Sequence, residues 1–470
     1  GSPHLSRYAK RYYSGPSGEI LDAFVFYSTE VGEQSLLSIK AGQHNVFWGE
    51  TILNPVHSVS YGQAGLDLAK LSASPGTEAK ELFIPRNQLS ASFTVNPELT
   101  IGAQYFLSWD EARLPEAGTY YGGSDLLGQG AQSFLLGHTG TPGFLLQDAL
   151  TSIRRGKDLT PDDRGDWGVM AKWSPEWLDG TLGVYYRKTS DILPQAWLNT
   201  SSFSIAGAVP LPAGAFPNLL NSLATGTYQF AYGDDINIYG ISLSKEFGGV
   251  SVGSDLNFRQ NMPLASIPAV LSSTSPLGLG NGFMVIPPRT AGTGVVYGTP
   301  RDGDSLSATG DTLHWTLNGL MTIADTPLFD SATLLGELYY SRLISLDSEN
   351  EALYKGKSSY RGIDKPTRDN WGLAVNFTPT WYQVFPGIDL SAPLSLNVGI
   401  DGVSPVVAGG AEGAGTYAIG LGAAIYNKYY VDLKYVDAFG KSQSCDDGQT
   451  DGTTPDAFDA EQDYTCYAGG

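Results

Sequence analysis

The stretch TIGAQYFLSWD at Thr100–Asp110 decides the fold, because its side chains alternate between apolar and smaller or more polar types. One face carries Ile101, Ala103, Tyr105, Leu107 and Trp109. The other face carries Gly102, Gln104, Phe106 and Ser108. Successive side chains of a β-strand point to opposite faces, so the pattern predicts a strand with one apolar face. Residues 88–95 alternate in the same way and are joined to it by the turn signal Asn96-Pro97-Glu98-Leu99, which predicts an antiparallel hairpin.

The same alternation recurs along the whole chain. The clearest further segments are residues 167–173, 182–186, 250–258, 313–317, 334–340, 371–377, 394–400, 417–425 and 429–435. Short turns, for example at 175–180, 248–249 and 427–428, alternate with long connections. We therefore predict an all-β fold, a transmembrane antiparallel β-barrel formed by residues 1–470 as one domain. We expect about fourteen visible strands. Bacterial barrels usually close with a strand that ends in an aromatic residue, whereas this chain ends in Tyr467-Ala468-Gly469-Gly470, so we expect one or more closing strands to be absent. Because barrel strand numbers are even, we expect roughly sixteen in the native protein.

The composition agrees with a membrane barrel and excludes other classes. The 470 residues carry a formal charge of 28 − 48 = −20, which argues against nucleic acid as a partner. Only 16% of residues are charged, and mean hydropathy is −0.12. We find no run of about 18 apolar residues that predicts a transmembrane helix. The 26 Tyr and 9 Trp residues are typical of chains that meet membrane interfaces. A large soluble β-solenoid or a set of sandwiches is the alternative.

Four blocks of the sequence resemble a known family. They are Leu21–Ile52, Ser60–Ser92, Arg164–Lys188 and Phe377–Leu394, the last reading FTPTWYQVFPGIDLSAPL. They resemble the bacterial outer-membrane family filed as "domain of unknown function 1302", and the resemblance extends from about residue 19 to 439. It implies a channel in the outer membrane of a Gram-negative bacterium that takes up hydrophobic compounds. The implied surroundings are the lipid bilayer and lipopolysaccharide, the implied ligand is a hydrophobic small-molecule solute, and a periplasmic carrier is a further candidate partner.

The segment Gly49–Arg86 is the first candidate site, because it is longer than a plain connector and holds helix-like pieces. We predict that it folds into the lumen as a plug-like constriction whose charges select solutes, with an outer cap as the alternative. Its candidate solute-binding residues are Glu50, His57, Tyr61, Asp67, Lys70, Lys80 and Glu81.

Two charge-free apolar loops and the inner face of the strands supply further candidates. In the loops, Phe203, Phe216, Phe283 and Met284 are predicted to contact a hydrophobic ligand, unless the loops pack on each other or on a neighbouring copy. The alternation also points charged residues inward, among them Lys172, Asp255, Glu337, Asp432 and Lys434, most of which we expect to be paired. Arg187 and Arg259 are the candidates for holding a carboxylate-bearing solute, since guanidinium groups match carboxylates.

Residues 440–470 form a predicted acidic outer loop bracketed by two cysteines. Cys445 and Cys466 are the only cysteines, and an even number in an exported protein predicts a disulfide. The acidic residues between them suggest either a Ca²⁺ site or a solvated loop. No other cofactor is predicted.

Signals for an enzyme are poor. Gly249–Gly253 matches the G-x-S-x-G pattern, but Ser251 lies in an alternating strand pattern rather than at a strand-to-helix turn. The five histidines lack metal-ligand spacing. We therefore expect a passive channel for hydrophobic or amphipathic small molecules that is not an enzyme. The alternatives are a general diffusion porin for hydrophilic solutes and a non-transporting structural or docking barrel.

Overall fold

A large antiparallel sheet dominates the computed structural model. The model describes residues 20–440 except 33, 74, 120–121, 123–125, 129, 136–151, 201–226, 273–281, 285–294, 298–299, 359 and 361. The strands of the large sheet are β1 (Ala23–Glu30), β2 (Leu36–His44), β5 (Arg86–Asn96), β6 (Leu99–Phe106), β9 (Trp167–Trp173), β10 (Gly180–Thr189), β13 (Ile236–Phe247), β14 (Val250–Pro263), β18 (Thr309–Ile323), β19 (Ser331–Leu346), β20 (Asp369–Phe385), β21 (Ile388–Ser391), β22 (Leu394–Asp401), β23 (Gly415–Ile425) and β24 (Tyr429–Phe439).

Fourteen strand positions make up this wall, which confirms the predicted number of about fourteen. Strands β21 and β22 count as one position, because both pair with β20 on one side and with β23 on the other. Ala392 and Pro393 separate them. Proline has no N–H to donate to a neighbouring strand, so an interruption of the ladder at Pro393 follows from its chemistry.

Short turns and long connections lie at opposite ends of the wall, as the sequence predicts. Short turns join β1 to β2, β5 to β6, β9 to β10, β13 to β14, β18 to β19, β20 to β21 and β23 to β24. The long connections between the other neighbours carry a second, mixed sheet. Its strands are β7 (Ser133–Leu135), β8 (Ser152–Arg155), β11 (Gln195–Thr200), β12 (Thr227–Ala231), β15 (Ala269–Ser272), β16 (Gly282–Met284) and β17 (Val295–Tyr297).

The two faces of the wall differ in polarity in the predicted sense. In β9, the outward side chains of Trp167, Val169 and Trp173 are 37–41% exposed, whereas Arg187 in the neighbouring β10 points inward and is fully buried. Asp255, the predicted inward charge of β14, is also fully buried. The apolar face is therefore on the outside of the sheet and the polar face on the inside. Among the described residues, no helix is long and apolar enough to span a bilayer.

The wall curls around the connection between β2 and β5, which we call the plug (residues 45–85). The plug contains a 3-10 helix at Pro55–His57, the short strands β3 (Gly65–Leu66) and β4 (Phe83–Ile84), and helices at Leu68–Ala73 and Ala79–Leu82. A further 3-10 helix, Glu351–Leu353, lies between β19 and β20. Plug atoms bond to wall strands from β6 round to β22. The predicted inward-folded loop of the barrel is therefore present.

The main apolar cluster lies where the plug meets the ends of the wall strands that carry the long connections. Leu66 and Leu82 of the plug pack there with residues that lie within or just after β10, β13 and β14. These include Ile192, Ile238, Met262 and Leu264, all of them buried. Burial of these side chains fixes the plug at one end, while polar contacts fix it along the lumen.

Candidate functional site

Asp255 holds the start of the plug against β14. Its carboxylate accepts hydrogen bonds from Glu50 N at 2.7 Å, Thr51 N at 3.3 Å and Thr51 Oγ1 at 2.8 Å. Thr51 Oγ1 also lies 2.8 Å from Thr316 Oγ1 of β18. Gly49 has φ +84°, and a Cβ there would collide with the Asp255 carboxylate. Only glycine allows this close approach of plug backbone to wall.

Glu337 of β19 holds the next turn of the plug in the same way. Its carboxylate accepts hydrogen bonds from Ile52 N at 2.6 Å, Leu53 N at 3.1 Å and Asn54 N at 2.7 Å. Asn54 Nδ2 adds a fourth at 2.9 Å. A fully buried carboxylate is stable only when its oxygens are satisfied, and these four donors satisfy it.

Two arginines bind the carbonyl groups that follow. Arg259 Nη2 donates to Val56 O at 2.8 Å and to Ser58 O at 2.9 Å, and its guanidinium lies 4.5 Å from the centre of the Tyr61 ring. Arg187 Nη1 donates to Val59 O at 3.1 Å and to Tyr61 O at 2.6 Å. The carboxylates thus hold plug N–H groups and the guanidiniums hold plug carbonyls.

His57 lies at the centre of this interface, within a chain of hydrogen bonds. His57 Nε2 lies 2.9 Å from Gly409 O and can only donate to it, so its Nδ1 accepts from His314 Nδ1 at 3.0 Å. The Tyr339 ring stacks on the His57 ring at 5.0 Å. The pKa of His57 is lowered to about 3, mainly by burial; the hydrogen bond to the Gly409 carbonyl opposes this effect and the charge of Arg259 adds to it. The interface therefore requires neutral His57.

Buried pairs also fix the second half of the plug. The Tyr61 hydroxyl donates to Asp191, whose pKa burial raises to about 6. Arg86, where β5 begins, forms a buried ion pair with Asp166 at 3.0 Å and donates to Gly62 O at 3.0 Å.

The helical part of the plug reaches β20 and β22. Asn376 Nδ2 donates to Gly76 O at 2.7 Å, and Ser395 Oγ donates to Pro75 O at 3.0 Å. Each of these bonds joins a side chain of the wall to a plug carbonyl. The plug is thereby attached on two sides of the curled sheet.

A cavity of about 440 Å³ separates the plug from the wall near the end with the short turns. The wall contributes residues of β13, β14, β18 and β19, namely Ser244, Ser251, Gly253, Asn318, Leu320 and Leu335. The plug contributes Phe47, Trp48, Glu50, Ile52, Lys80 and Phe83, among others. A Cβ at Gly253 would lie 2.9 Å from Glu50 Cβ, so glycine there leaves room for Glu50 against the wall.

The predicted site residues whose side chains the structure describes fall into three groups. His57, Tyr61, Arg187 and Arg259 are buried in the interface between plug and wall, where both guanidinium groups hold plug carbonyls. Glu50 and Lys80 line the cavity. The other predicted plug residues, Asp67, Lys70 and Glu81, lie in or next to its helices. Asp67 is buried, and its Oδ2 lies 3.9 Å from Arg113 Nη1. Lys70 Nζ lies 3.5 Å from Glu81 Oε2 on an exposed face.

Several predicted residues lie outside the described structure. These are Phe203, Phe216, Cys445 and Cys466, together with the acidic loop 440–470 beyond its first residue. For Phe283 and Met284 only the backbone is described, in β16. Ser251 of the G-x-S-x-G match lies within β14, with no strand-to-helix turn around it.

Sequence reasoning missed the apolar part of the cavity. Leu320 and Leu335 are cross-strand partners on the inner face, where polar side chains otherwise dominate. A signal was present in β18, whose inner face reads Thr312, His314, Thr316 and Asn318 before changing to Leu320. Sequence reasoning also missed His314, because nothing in a strand pattern shows which inward residue will meet the plug.

A family model described as "Protein of unknown function (DUF1302)" matches residues 2–458. The comparison with curated proteins gives no match.

Three solved structures are similar to this chain at low sequence identity. OccK1 (OpdK) of Pseudomonas aeruginosa has a TM-score of 0.31 and 8% identity, over 86% of this chain and 72% of that one. A FadL homologue of Pseudomonas aeruginosa has a TM-score of 0.30 and 12% identity, over 80% of this chain and 69% of that one. The outer membrane channel DcaP of Acinetobacter baumannii has a TM-score of 0.29 and 8% identity, over 88% of this chain and 83% of that one.

Proposed function

The chain belongs to the family described as protein of unknown function (DUF1302), and on that premise we propose that it is a passive channel. Its location is the bacterial outer membrane, and its solutes are hydrophobic or amphipathic small molecules. The observation that carries the proposal is the reversed polarity of the wall, apolar outside and polar inside, around a plug that narrows the lumen.

Two aromatic belts on the outer face support a membrane location. Near the long connections, Trp167, Tyr186 and Tyr239 form successive ring contacts at 5.3 and 5.1 Å. Near the short turns, Trp173 and Trp177 meet at 5.8 Å. In β20, both belts are represented on one strand, by Trp371 and Trp381.

The spacing of these belts fits a bilayer. Trp381 lies ten positions after Trp371, which is about 33 Å along a strand at about 3.3 Å per residue. A tilt of about 45° reduces the height to roughly 23 Å, close to the apolar band of outer-membrane barrels.

The plug favours a selective channel over a general diffusion porin. It contacts the wall from β6 to β22, so a solute cannot cross a wide water-filled pore without meeting it. Releasing it would break the hydrogen bonds that at least four charged wall groups make to the plug, namely those of Arg187, Arg259, Asp255 and Glu337. At about 1.5–3 kcal/mol for a hydrogen bond to a charged group, one such bond at each of the four costs roughly 6–12 kcal/mol, more than a weakly bound solute supplies. The solute therefore passes beside a plug that stays in place.

Removal of the plug tests the proposal. His44 and Arg86 are register partners at the ends of β2 and β5, so an Asn-Gly turn can replace residues 45–85 and close the hairpin. The native and plugless proteins are reconstituted in planar bilayers and in liposomes. We expect low conductance with uptake of apolar solutes for the native protein, and large conductance with loss of solute preference for the plugless one.

Two outcomes would contradict the proposal. Large, stable conductance of the native protein, equal to that of the plugless one, would indicate a general diffusion porin. Absence of both conductance and uptake in the two proteins, each with correct heat-modifiable migration, would indicate a structural or docking barrel.

A further inference from the structure

The cavity between plug and wall is built from two chemically different halves. Leu320 is 39% exposed towards it although it lies on the inner face of the wall. Its cross-strand partner Leu335 packs with Ile52 and Leu53 of the plug. Exposed apolar area is unfavourable in water, so an exposed leucine is not expected on an inner face that contacts only water and ions.

Aromatic rings of the plug extend the apolar half. Phe47 stacks on Phe83 with 5.1 Å between ring centres and 15° between planes, and Phe47 is 46% exposed. Both rings line the cavity. Rigid, partly exposed aromatic and aliphatic side chains in a concave site are the usual apolar lining for a small molecule.

The charged groups at the cavity are already paired. Glu50 Oε1 lies 3.8 Å from Lys172 Nζ, and Lys80 Nζ lies 2.7 Å from Glu78 Oε2. A charged ligand would have to displace one of these partners. The polar half instead offers neutral groups, the hydroxyls of Ser244 and Ser251 and the side-chain oxygen of Asn318, whose Nδ2 already donates to Glu50 O at 2.6 Å.

We propose that this cavity is a binding site for an uncharged amphipathic molecule with a mainly apolar body and a hydroxyl or carbonyl group. The body lies against Leu320, Leu335, Phe47 and Phe83, and the polar group faces Ser244, Ser251 and Asn318. The volume of about 440 Å³ lies within the range of sites for drug-sized ligands. This inference rests on the proposed channel function, for which it names a solute class and a stopping point on the path.

Three matched probes test the proposal by direct binding. They are 2-naphthylethanol, 2-naphthylacetate and 2-naphthylethylamine, which share one ring system and differ in head-group charge. Each is titrated into the full-length protein in lipid nanodiscs, with empty nanodiscs as background. We expect the alcohol to bind at least tenfold more tightly than either charged probe.

Variants locate the site. Leu320→Gln is expected to weaken binding of the alcohol about tenfold, and Ser251→Phe, which fills the cavity, is expected to abolish it. The matched control is Leu243→Gln, on the outer face of β13 and 40% exposed, which should bind the alcohol like the native protein. Heat-modifiable migration confirms that each variant is folded.

Two results would overturn the inference: equal or tighter binding of a charged probe, or native affinity in both Leu320→Gln and Ser251→Phe. Failure of the inference and failure of the channel function are distinguishable. Binding without uptake in liposomes supports the site and contradicts the channel, whereas uptake without binding at this cavity supports the channel and contradicts the site.

Discussion

Buried charges of the wall act on backbone atoms of the plug. Asp255 and Glu337 accept from plug N–H groups, while Arg187 and Arg259 donate to plug carbonyls. Thr51 Oγ1 and Asn54 Nδ2 add side-chain bonds to the two carboxylates, but most bonds of this set go to the plug backbone. The set therefore fixes the path of the plug backbone and leaves the plug side chains to determine the lining of the lumen.

Glu337→Gln tests this anchoring. The amide offers one acceptor oxygen instead of a carboxylate and turns an NH₂ group towards N–H donors, so Ile52 N, Leu53 N and Asn54 N cannot all stay bonded. A buried donor without a partner costs about 1–3 kcal/mol. We expect hydrogen exchange at these amides to quicken about tenfold or more in mass spectrometry.

The control for that measurement is Asp432→Asn in β24. Asp432 lies opposite Gly422 in the wall, away from the strands that hold the plug. It should leave exchange at residues 52–54 at the native rate. Native exchange in Glu337→Gln would show that the carboxylate does not hold the plug.

Acid is expected to destabilise the protein through His57. The pKa of His57 is about 3 in the folded protein against 6.5 when exposed, so the unfolded chain binds more protons between these values. The free energy of unfolding therefore falls as pH falls through this window, by about 1.4 kcal/mol per unit. Between pH 7 and pH 4, His57 is therefore expected to lower the free energy of unfolding by about 3 kcal/mol.

Denaturant unfolding of the native protein and of His57→Gln at the two pH values measures this contribution. Glutamine can still donate to the Gly409 carbonyl and cannot gain a proton. The free energy of unfolding of His57→Gln should therefore change between the two pH values by about 3 kcal/mol less than that of the native protein. His314, Arg259 and Tyr339 also face His57 and are the same in both proteins. An unchanged pH dependence would mean that protonation of His57 costs nothing.

At the scale of elements, the bonds between plug and wall predict that the plug is a fixed obstacle rather than a gate. Thr51 and Thr316 provide a site to test this, because their Oγ1 atoms lie 2.8 Å apart. With Cys445 and Cys466 replaced by Ser, Thr51→Cys and Thr316→Cys are introduced together and oxidised. We expect solute uptake into liposomes to be the same before and after reduction of the new disulfide. Uptake that appears only after reduction would show that the plug must move.

The alternating strands predict opposite effects for charges at neighbouring positions. Ala91 and Ser92 lie near the middle of β5, Ala91 on the outer face and Ser92 on the inner face opposite Gly102. Arginine facing lipid at mid-membrane costs about 2–4 kcal/mol, and much less in a wet lumen. We expect Ala91→Arg to lower the free energy of unfolding in lipid vesicles by about that amount, and Ser92→Arg to lower it by less than about 1 kcal/mol. Equal penalties would contradict the assignment of the two faces.

At the scale of the whole molecule, the aromatic belts determine how the wall lies in a bilayer. Trp173 and Trp177 are 40% and 73% exposed on the outside near the short turns. Aromatic rings of this kind settle at the level of the lipid headgroups. The long connections and their mixed sheet then lie beyond the opposite headgroups.

Quenching by brominated lipids checks this orientation. Fluorescence of a variant that keeps only Trp173 and Trp177, with Phe at the other tryptophans, is compared in two kinds of vesicle. Bromine near the headgroups should quench these tryptophans more strongly than bromine near the chain ends. The opposite order would mean that this part of the wall lies deep in the hydrocarbon, and equal, weak quenching would mean that it lies in water.

Local sequence patterns were sufficient to predict the strands of the wall. Alternation, turn signals and the spacing of short and long connections are local properties, so they predicted about fourteen strands, their inner and outer faces and the inward-folded segment. They also placed Asp255, Glu337, Arg187 and Arg259 on the inner face. The blocks that resemble the family predicted the membership that its model confirms over residues 2–458.

The contacts of the inner residues depend on packing between distant parts of the chain. Glu50 and Asp255 are 205 positions apart, and Leu53 and Glu337 are 284 apart, yet they bond directly. No periodicity encodes such pairs, because they depend on how the sheet curls and where the plug lies inside it. For that reason the arginines predicted to face a solute were found holding the plug, and the cavity beside Leu320 was not foreseen.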